Sequence, residues 1–296
     1  MFRHTKLLFW LILGGVCAHT SCNSINFSNL LPGSNSATNA PAIINQQPNT
    51  VTVEVFIIRF TPQQNGLVQQ LWQEIDEQSL PTQLRRELHA QGFRAGVFGS
   101  LLSPTFELLI NTSPETNPDV TLGDYHEFSA ADATRESGAT RRTRQLTPGM
   151  WAVLKPFSDQ NALPELFLFR RENGMIHGET YREAVGALHV SAEANRDGSA
   201  QIQILPVIEH GDYRLQTRIV SGIVVREENR PRHSLDSLAI SQRLLPGQWI
   251  IMGATTLNSP GAGKAFFART HSIPEQRLVA IRLIRATTSA DDATLP

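Results

Sequence analysis

Hydrophobic and polar positions follow a strand period and then a helical period in the first part of the chain. Residues 51–60 (VTVEVFIIRF) are apolar on both faces of an extended strand, which is typical of a central strand. Apolar residues then recur at helical spacing over 67–75, and a second helix is predicted from Pro81, because proline fits a first turn. A short strand follows at 93–98. The pattern predicts a small β-α-α-β module over 51–112.

A polar break separates this module from the rest of the chain, and we expect a linker over 113–147. Its basic run, TRRTR at 140–144, has the composition of an anion-binding patch. A solvated loop is the preferred interpretation, because five acidic residues lie just upstream: Asp119, Asp124, Glu127, Asp132 and Glu136. His126 beside Glu127 and Asp124 also allows a metal site, but the spacing alone is a weak signal.

The chain from 148 to 287 reads as strands and turns. Asn173-Gly174 is a strong two-residue hairpin signal, since both central positions of that turn need positive φ. A second hairpin is predicted around 195–198 (NRDG). About eight strands at short intervals predict a mainly antiparallel β-domain, either a sandwich or an open barrel. The fold class is therefore α+β, with a disordered tail at 288–296.

The N-terminus has the layout of an export signal. A basic head precedes an apolar stretch at 7–18, which as a helix spans about 18 Å and is well short of a hydrocarbon core of roughly 30 Å. We therefore predict a signal peptide over 1–21 and an extracytoplasmic location at the cell envelope of a bacterium. An uncleaved N-terminal anchor is the alternative.

Two cleavage chemistries are compatible with the end of this segment. Residues 18–22 (AHTSC) resemble a bacterial lipobox, in which Cys22 would be lipidated and would hold the chain at the membrane. His19 stands where that pattern prefers an apolar residue, so ordinary cleavage beside small residues stays open. The uncharged, Asn-, Ser- and Pro-rich remainder of 22–50 cannot bury enough apolar area to offset its ordering entropy, and we interpret it as a flexible tether.

Composition narrows the classes of partner. The formal net charge of −1 argues against nucleic-acid binding, which requires a basic excess. Both cysteines lie within the first 22 residues, so the folded part has neither a disulfide framework nor a cysteine-ligated metal. We expect no cofactor and no metal site.

Catalytic signals are weak. The sequence contains no Gly-x-Ser-x-Gly pentapeptide and no helical zinc-binding histidine pair. His210 and Asp212 follow a buried-looking strand and form the one acid–base candidate, although a polar turn at the end of the strand is the preferred interpretation. The glycine-rich stretch at 260–265 lacks the first glycine and the Ser/Thr of a phosphate-binding loop, so a flexible loop is expected there.

Two stretches resemble the β-domain of the secretin family. Residues 188–210 are similar to its strand–turn–strand pattern, and 239–253 are similar to a later segment, with matches at Gly247, Gln248, Ile250, Ile251 and Gly253. Pro246 and Ala254 depart from that pattern. The strand at 51–60 with its helices also resembles the ring-forming αβ modules that precede the secretin β-domain. The whole chain further resembles uncharacterised exported proteins of planctomycete-type bacteria.

The resemblance implies an oligomeric envelope assembly and transfers no catalytic residues. We therefore expect a non-catalytic binding or structural protein, held by a lipid on Cys22 or released, which contacts envelope proteins or further copies of itself. A divergent hydrolase using His210 and Asp212 is the alternative function. Pore formation is a third hypothesis, and it would need sustained outward-facing apolar strands that the sequence does not display.

Overall fold

A computed structural model describes residues 49–111, 128–129, 138–172, 175–220, 223–257, 261–270 and 274–288. The predicted signal peptide, Cys22, nearly all of the predicted tether, the His126 group and most of the C-terminal tail lie outside these residues. Within the described residues, no helix combines the length and the apolar character needed to cross a membrane.

The described chain is mostly strand, with four α-helices. The helices are α1 (Asn65–Glu74), α2 (Thr82–Ala90), α3 (Pro104–Asn111) and α4 (Gly263–Phe267). The strands are β1 (Thr50–Phe60), β2 (Phe93–Phe98), β3 (Phe128–Ser129), β4 (Gly138–Leu146), β5 (Ala152–Lys155), β6 (Leu163–Glu172), β7 (Met175–Ala194), β8 (Ala200–Glu209), β9 (Arg214–Val220), β10 (Ile223–Asn229), β11 (Arg232–Ser234), β12 (Ile240–Leu244), β13 (Trp249–Ala254), β14 (Ala268–Arg269) and β15 (Glu275–Thr287).

The first sheet has the order β2-β13-β15-β1-β4, with β14 also paired to β15, and its pairings are antiparallel. The predicted β-α-α-β succession is confirmed as β1, α1, α2 and β2. Its two strands are not neighbours, however, because β15 and β13 lie between them. The expected boundary between a module ending at 112 and a β-domain starting at 148 therefore does not separate two sheets.

The loop interpretation of the TRRTR run is wrong. These residues lie within β4, which pairs with β1 from Leu146 opposite Val51 to Gly138 opposite Arg59. The edge of β1 that is not paired with β15 supplies backbone partners for the whole run, and this pairing overrides its polar composition. Only the earlier part of the predicted 113–147 linker precedes the strand.

The second sheet has the order β11-β8-β7-β5-β3, with β12 added to β8 and β6 added to β7. Both predicted hairpins are confirmed: Glu172 pairs with Met175 across the first turn, and Ala194 pairs with Ala200 across the second. Strand β7 pairs with β6 through its first half and with β8 through its second half. At the changeover Glu183 has φ of +50°, a conformation that side chains other than glycine rarely adopt.

The two sheets pack face to face around a shared core, so the predicted α+β class with a sandwich-like β arrangement is confirmed. In β1 the odd positions from Val51 to Ile57 face this inter-sheet core. The even positions Phe56, Ile58 and Phe60 face α1 and α3 on the other side of the first sheet. Burial on both faces of β1 agrees with the prediction of a central strand.

The short helix α4 is buried between the two sheets. Phe266 and Phe267 are fully buried, and both rings pack edge-on against Phe93 of β2. On the opposite side, a Cβ atom on Gly186 of β7 would lie 2.3 Å from Cγ of Phe266. Glycine at this position therefore lets β7 approach the helix closely enough to close the core.

The glycine-rich stretch that leads into the first turn of α4 packs closely against the backbone after α2. The amide of Gly263 donates a hydrogen bond to the carbonyl oxygen of Gln91 at 2.8 Å, and a Cβ on Gly263 would lie 2.3 Å from the carbonyl oxygen of Gly92. The loop thus runs directly against the chain that leads from α2 into β2. This close backbone contact explains the glycine without a phosphate.

We expect Gly186→Ala to lower the free energy of unfolding by about 1–3 kcal/mol, because the added methyl group overlaps the Phe266 ring. Gly99→Ala is the matched control, since a Cβ there meets no atom within 4 Å. Urea unfolding followed by tryptophan fluorescence measures both changes. Equal stability of the two variants would contradict the close packing of α4.

Candidate functional site

A buried ion cluster lies at one end of the second sheet, where β5, β8 and β11 meet. The Nζ atom of Lys155 lies 2.7 Å from a carboxylate oxygen of Glu209, and each side chain is only 3% exposed. The other carboxylate oxygen of Glu209 accepts a hydrogen bond from Nε of Arg232 at 2.9 Å. Lys155 also contacts Asp159 at 3.2 Å. Each buried charge in this group therefore has a partner of opposite sign, which offsets its desolvation cost.

Asp159 joins this cluster to the root of the β9–β10 hairpin. Tyr213, just before β9, donates its hydroxyl hydrogen to the Asp159 carboxylate. Arg230, just after β10, lies 3.7 Å from the same carboxylate. Both ends of the hairpin are consequently held by one acidic side chain.

Arg230 also binds backbone carbonyl groups near the point where β7 changes its pairing partner from β6 to β8. Its guanidinium donates to the carbonyl oxygen of Gly211 at 2.9 Å and to that of Glu183, the residue with positive φ. The amide of Gly211 in turn donates to the carbonyl oxygen of Arg182 at 2.8 Å. This part of β7 and the root of the β9–β10 hairpin therefore belong to one hydrogen-bonded unit.

The tyrosine of this unit holds its proton tightly. Partial burial, followed by the hydrogen bond to Asp159 and the negative charge of that carboxylate, raises the pKa of Tyr213 to about 12. Tyr213 is thus a hydrogen-bond donor throughout the physiological pH range. It has no role as a base there.

Three histidines surround Tyr181 and Glu209. The rings of His210 and His233 pack on Tyr181 with centroids 4.8 and 5.2 Å away. Burial is the main cause that lowers the pKa of His189, and the positive charges of Arg232 and Lys155 lower it further. The negative charge of Glu209 opposes this shift. Burial and nearby His233, Arg230 and Arg214 lower the pKa of His210. Both histidines therefore stay neutral at lower pH than a free histidine does.

The structure does not join the two residues of the predicted acid–base pair. His210 is partly buried against Tyr181, whereas the Asp212 side chain is exposed, and no hydrogen bond connects them among the described residues. The amide of His210 donates to the carbonyl oxygen of Pro231, so the backbone at this position is held by the β11 side of the sheet. The carboxylate at the centre of the cluster is Glu209, one residue before His210.

A second charged group links the two sheets. The guanidinium carbons of Arg269 and Arg277 lie 3.9 and 4.3 Å from the ring centroid of Phe157, which follows β5. Arg269 donates hydrogen bonds to carbonyl oxygens of the α4 region and of Asn161. Burial and the positive charge of Arg277 lower the pKa of Arg269 to about 9, although the negative charge of Glu275 acts in the opposite direction.

Other described features offer little to a small ligand. A shallow cleft of about 170 Å³ lies between α1 and the end of β13, lined by Trp72, Thr255 and Gln276 among others, and it does not include the ion cluster. Within the described ranges no group of three or more histidine, cysteine or acidic side chains could hold a metal ion. The arrangement around Glu209 is suited to positioning backbone segments by charge pairing.

Sequence reasoning missed most of this cluster. Lys155, Asp159, Tyr213 and Arg230 are separated along the chain and belong to no motif. The one available signal was Glu209 at the end of a strand whose last residues are apolar on both faces. A carboxylate in such a position needs a cationic partner.

Comparisons with known proteins give no family assignment. No protein-family model matches the sequence, and no curated protein matches it. Among solved structures, the chain has a faint likeness to the InvG secretin domain β-barrel from the Salmonella SPI-1 injectisome NC base, with 11% sequence identity and a TM-score of 0.18. The aligned region covers 80% of this chain and 61% of that one. The similarity is too low to carry an argument about fold or function.

We expect Lys155→Met to lower the free energy of unfolding by about 3–5 kcal/mol, because it leaves Glu209 buried without its shortest ion pair. The double variant Lys155→Met with Glu209→Met should recover most of that loss, since the unpaired buried charge is then gone. Urea unfolding measures all variants.

The exposed pair Arg243–Asp197 supplies the control for this experiment. Both of its side chains are about half exposed, so Arg243→Met should cost about 1 kcal/mol or less. Additive losses in the double variant would show that the Lys155–Glu209 charges do not act as a pair.

Proposed function

We propose that this chain is an exported, non-catalytic structural protein of the bacterial cell envelope that assembles with further copies of itself through its β-hairpins. The observation that carries this proposal is the apolar surface of the two hairpins β6–β7 and β9–β10. The sequence resemblance to secretin β-domains is compatible with such a role.

The β6–β7 hairpin has apolar side chains on both faces. Leu166, Leu168 and Tyr181 face the core, whereas Phe167 and Phe169 on the opposite face are 55% and 63% exposed. Ile176 shares that outer face by register and is 66% exposed. The Phe169 ring lies over Gly178, 3.3 Å from the position of a Cβ there. The same face also carries Glu165, Thr180 and Arg182, so the three exposed apolar side chains form a patch with a polar surround, which is suited to a partner.

The β9–β10 hairpin is the more isolated of the two. Among the described residues, β9 and β10 pair only with each other. Leu215 and Val224 fall on one face by register, and each is more than 60% exposed. An isolated two-stranded ribbon is marginally stable in water, so a neighbouring strand would stabilise it. Unpaired strand edges supply the backbone groups for such an addition.

The location at the envelope is part of the same proposal. It is supported by the export-signal layout of 1–21, the tether composition that follows and the lipobox-like residues around Cys22. The chain is either held at the membrane by a lipid on Cys22 or released after ordinary cleavage of the signal peptide. Among the residues that the structure describes, no hydrogen bond joins His210 and Asp212, so no contact there favours the hydrolase alternative and we do not propose it.

We expect the chain purified from envelope extract in mild detergent to run as an oligomer in size-exclusion chromatography with light scattering. The double variant Phe167→Glu with Val224→Glu should shift it to monomer, because it places charges on both apolar faces. Leu101→Glu is the matched control, since Leu101 is 86% exposed but lies outside both hairpins. A monomeric parent chain, or an unchanged mass in the double variant, would refute assembly through the hairpins.

We expect radioactive fatty acid to label the chain in a bacterial host and Cys22→Ser to abolish the label and release the chain from membranes. The serine variant keeps the size and polarity of the side chain but lacks the thiol that forms the thioether. Cys17→Ser is the control and should keep the label, since that cysteine lies within the predicted signal peptide. Label that persists in Cys22→Ser would rule out lipidation at this residue.

A further inference from the structure

One end of the two-sheet sandwich is formed by loops that cross between the sheets. In the first sheet β1 begins at this end and β4 ends there, because Val51 pairs with Leu146. Residues 147–151 then cross to β5 in the second sheet, and 245–248 cross back from β12 to β13. Residues 99–102 follow β2 at the same end, since the last residue of β2 pairs with the first of β13. We call these three loops, with the adjoining end of β15, the loop end.

The backbone of three segments meets at the loop end. A Cβ on Gly247 would lie 3.1 Å from Cβ of Ser100, so the loop before β13 contacts the loop after β2. The amide of Gly247 donates a hydrogen bond to the carbonyl oxygen of Leu283 at 2.7 Å, which adds the end of β15 to this contact. The large apolar residues next to the contact in sequence are Leu101, Leu245 and Ile284.

The loop end exposes several large apolar side chains. The exposed fractions are 86% for Leu101, 50% for Leu245, 46% for Trp151 and 38% each for Met150 and Ile284. A single exposed apolar residue is ordinary on a protein surface. Five of them on the loops of one end indicate a surface that contacts an apolar partner.

A β-bulge accounts for one of these exposed side chains. The register between β1 and β15 shifts between Thr52 and Val53, and in the described pairing Ile284 then has no opposite residue on β1. A bulge bends its strand and re-aims the side chains beside it. The exposure of Ile284 is therefore set by the pairing of two long strands.

The charged side chains in and beside these loops do not oppose a phospholipid surface. Arg285 follows the bulge and Arg196 lies in the turn between β7 and β8, and both are exposed. Asp197 of that turn is paired with Arg243, and Glu193 is exposed near the end of β7. These arginines outnumber the acids, so the phosphate groups of lipids are attracted and not repelled.

The chain enters the folded body at the loop end. Strand β1 begins at Thr50, which pairs with Thr287 at the end of β15. Residues 22–49 precede it, and as the predicted flexible tether they would span about 30 Å on average. The β6–β7 and β9–β10 hairpins leave the second sheet at its other end, beyond Glu209. An anchor at Cys22 would therefore bring the loop end, and not the hairpins, to the membrane.

We propose that the loop end docks on the surface of a lipid bilayer, with Leu101, Trp151 and Leu245 inserted among the headgroups and upper acyl chains. Such side chains are suited to this position, because the membrane interface accepts amphipathic rings and apolar groups. Contact through so few side chains is reversible, and the tether maintains it by keeping the loop end at a high local concentration near lipid. This inference rests on the envelope location in the proposed function and leaves the hairpins free for assembly.

The test uses residues 22–296, the predicted form after signal cleavage, coupled through the Cys22 thiol to a maleimide lipid. The vesicles contain phosphatidylethanolamine and phosphatidylglycerol. This chain contains every residue that the structure describes, and Cys22 is its single cysteine. Its tryptophans are Trp72, Trp151 and Trp249, of which Trp72 and Trp249 are buried. We expect lipids brominated on their acyl chains to quench tryptophan emission, and Trp151→Phe to abolish that quenching.

Matched variants separate docking from mere proximity to the vesicle. Trp151→Phe with Phe169→Trp moves the probe to the β6–β7 hairpin, where we expect no quenching. Leu101→Glu with Leu245→Glu should lower the quenched fraction of Trp151 at least about threefold, because charged side chains enter lipid at high cost. Leu215→Glu, exposed on the β9–β10 hairpin, should change it by less than about 1.5-fold, since a charge beyond the Debye length is screened. Unchanged thermal unfolding shows that the variants are folded.

Absence of quenching in the parent chain, or equal quenching of Trp151 and of the Phe169→Trp probe, would overturn the docking. A shift of Trp151 emission to shorter wavelength without quenching by bromine would overturn it too, because a second copy or the tether would then cover the loop end. The lipid is coupled chemically, so these outcomes are independent of lipidation in the cell. A monomeric chain or a chain without fatty acid label bears on the proposed function alone.

Discussion

The burial of α4 between the two sheets is the constraint on which the rest of this structure depends. A helix of five residues gains little from its own hydrogen bonds, so the packing of Phe266 and Phe267 must hold it in place. That packing requires Gly186 on one sheet, while Phe93 lies on the other. Arg269 then satisfies carbonyl groups of the helix and packs on Phe157 beside Arg277. Apolar packing and cation–π contacts thus both stabilise the interface between the two sheets.

The ion cluster around Glu209 has a different role, because it orients segments that protrude from this core. Lys155 and Asp159 extend the pairing from β8 to the start and end of the β9–β10 hairpin. The positive φ of Glu183 belongs to the same unit, since Arg230 binds its carbonyl oxygen. Strain at one backbone position is retained where surrounding contacts fix it, and the contacts here converge on the hairpin root. The cluster therefore positions the β9–β10 hairpin relative to β7. The apolar faces of the two hairpins are the basis of the proposed assembly.

Elements that carry a local signal could be predicted from the sequence. Strand β1 is apolar on both faces, and the Asn173-Gly174 and 195–198 turns specify hairpins through their own backbone preferences. Strand β4 carries no such signal, because Thr, Arg and Gln occupy both of its faces, and its formation depends on pairing with β1. Glu209 and Lys155 are separated by 54 positions, so no spacing rule could join them. His210 and Asp212 were chosen for proximity in sequence, yet side chains two apart near a strand end need not meet, and here one packs inward while the other is exposed.

Strand β1 and strand β15 are neighbours along their whole length, from Thr50 opposite Thr287 to Phe60 opposite Gln276, and the hydroxyl oxygens of those two threonines lie 2.9 Å apart. Thr50 and Thr287 are 237 positions apart along the chain. The edge of β1 that pairs with β15 therefore stays uncovered until β15 has been synthesised. Pairing between segments so distant along the chain makes folding slow and leaves β1 without this partner until β15 has been made. Once the protein is folded, the beginning of β1 and the end of β15 lie side by side.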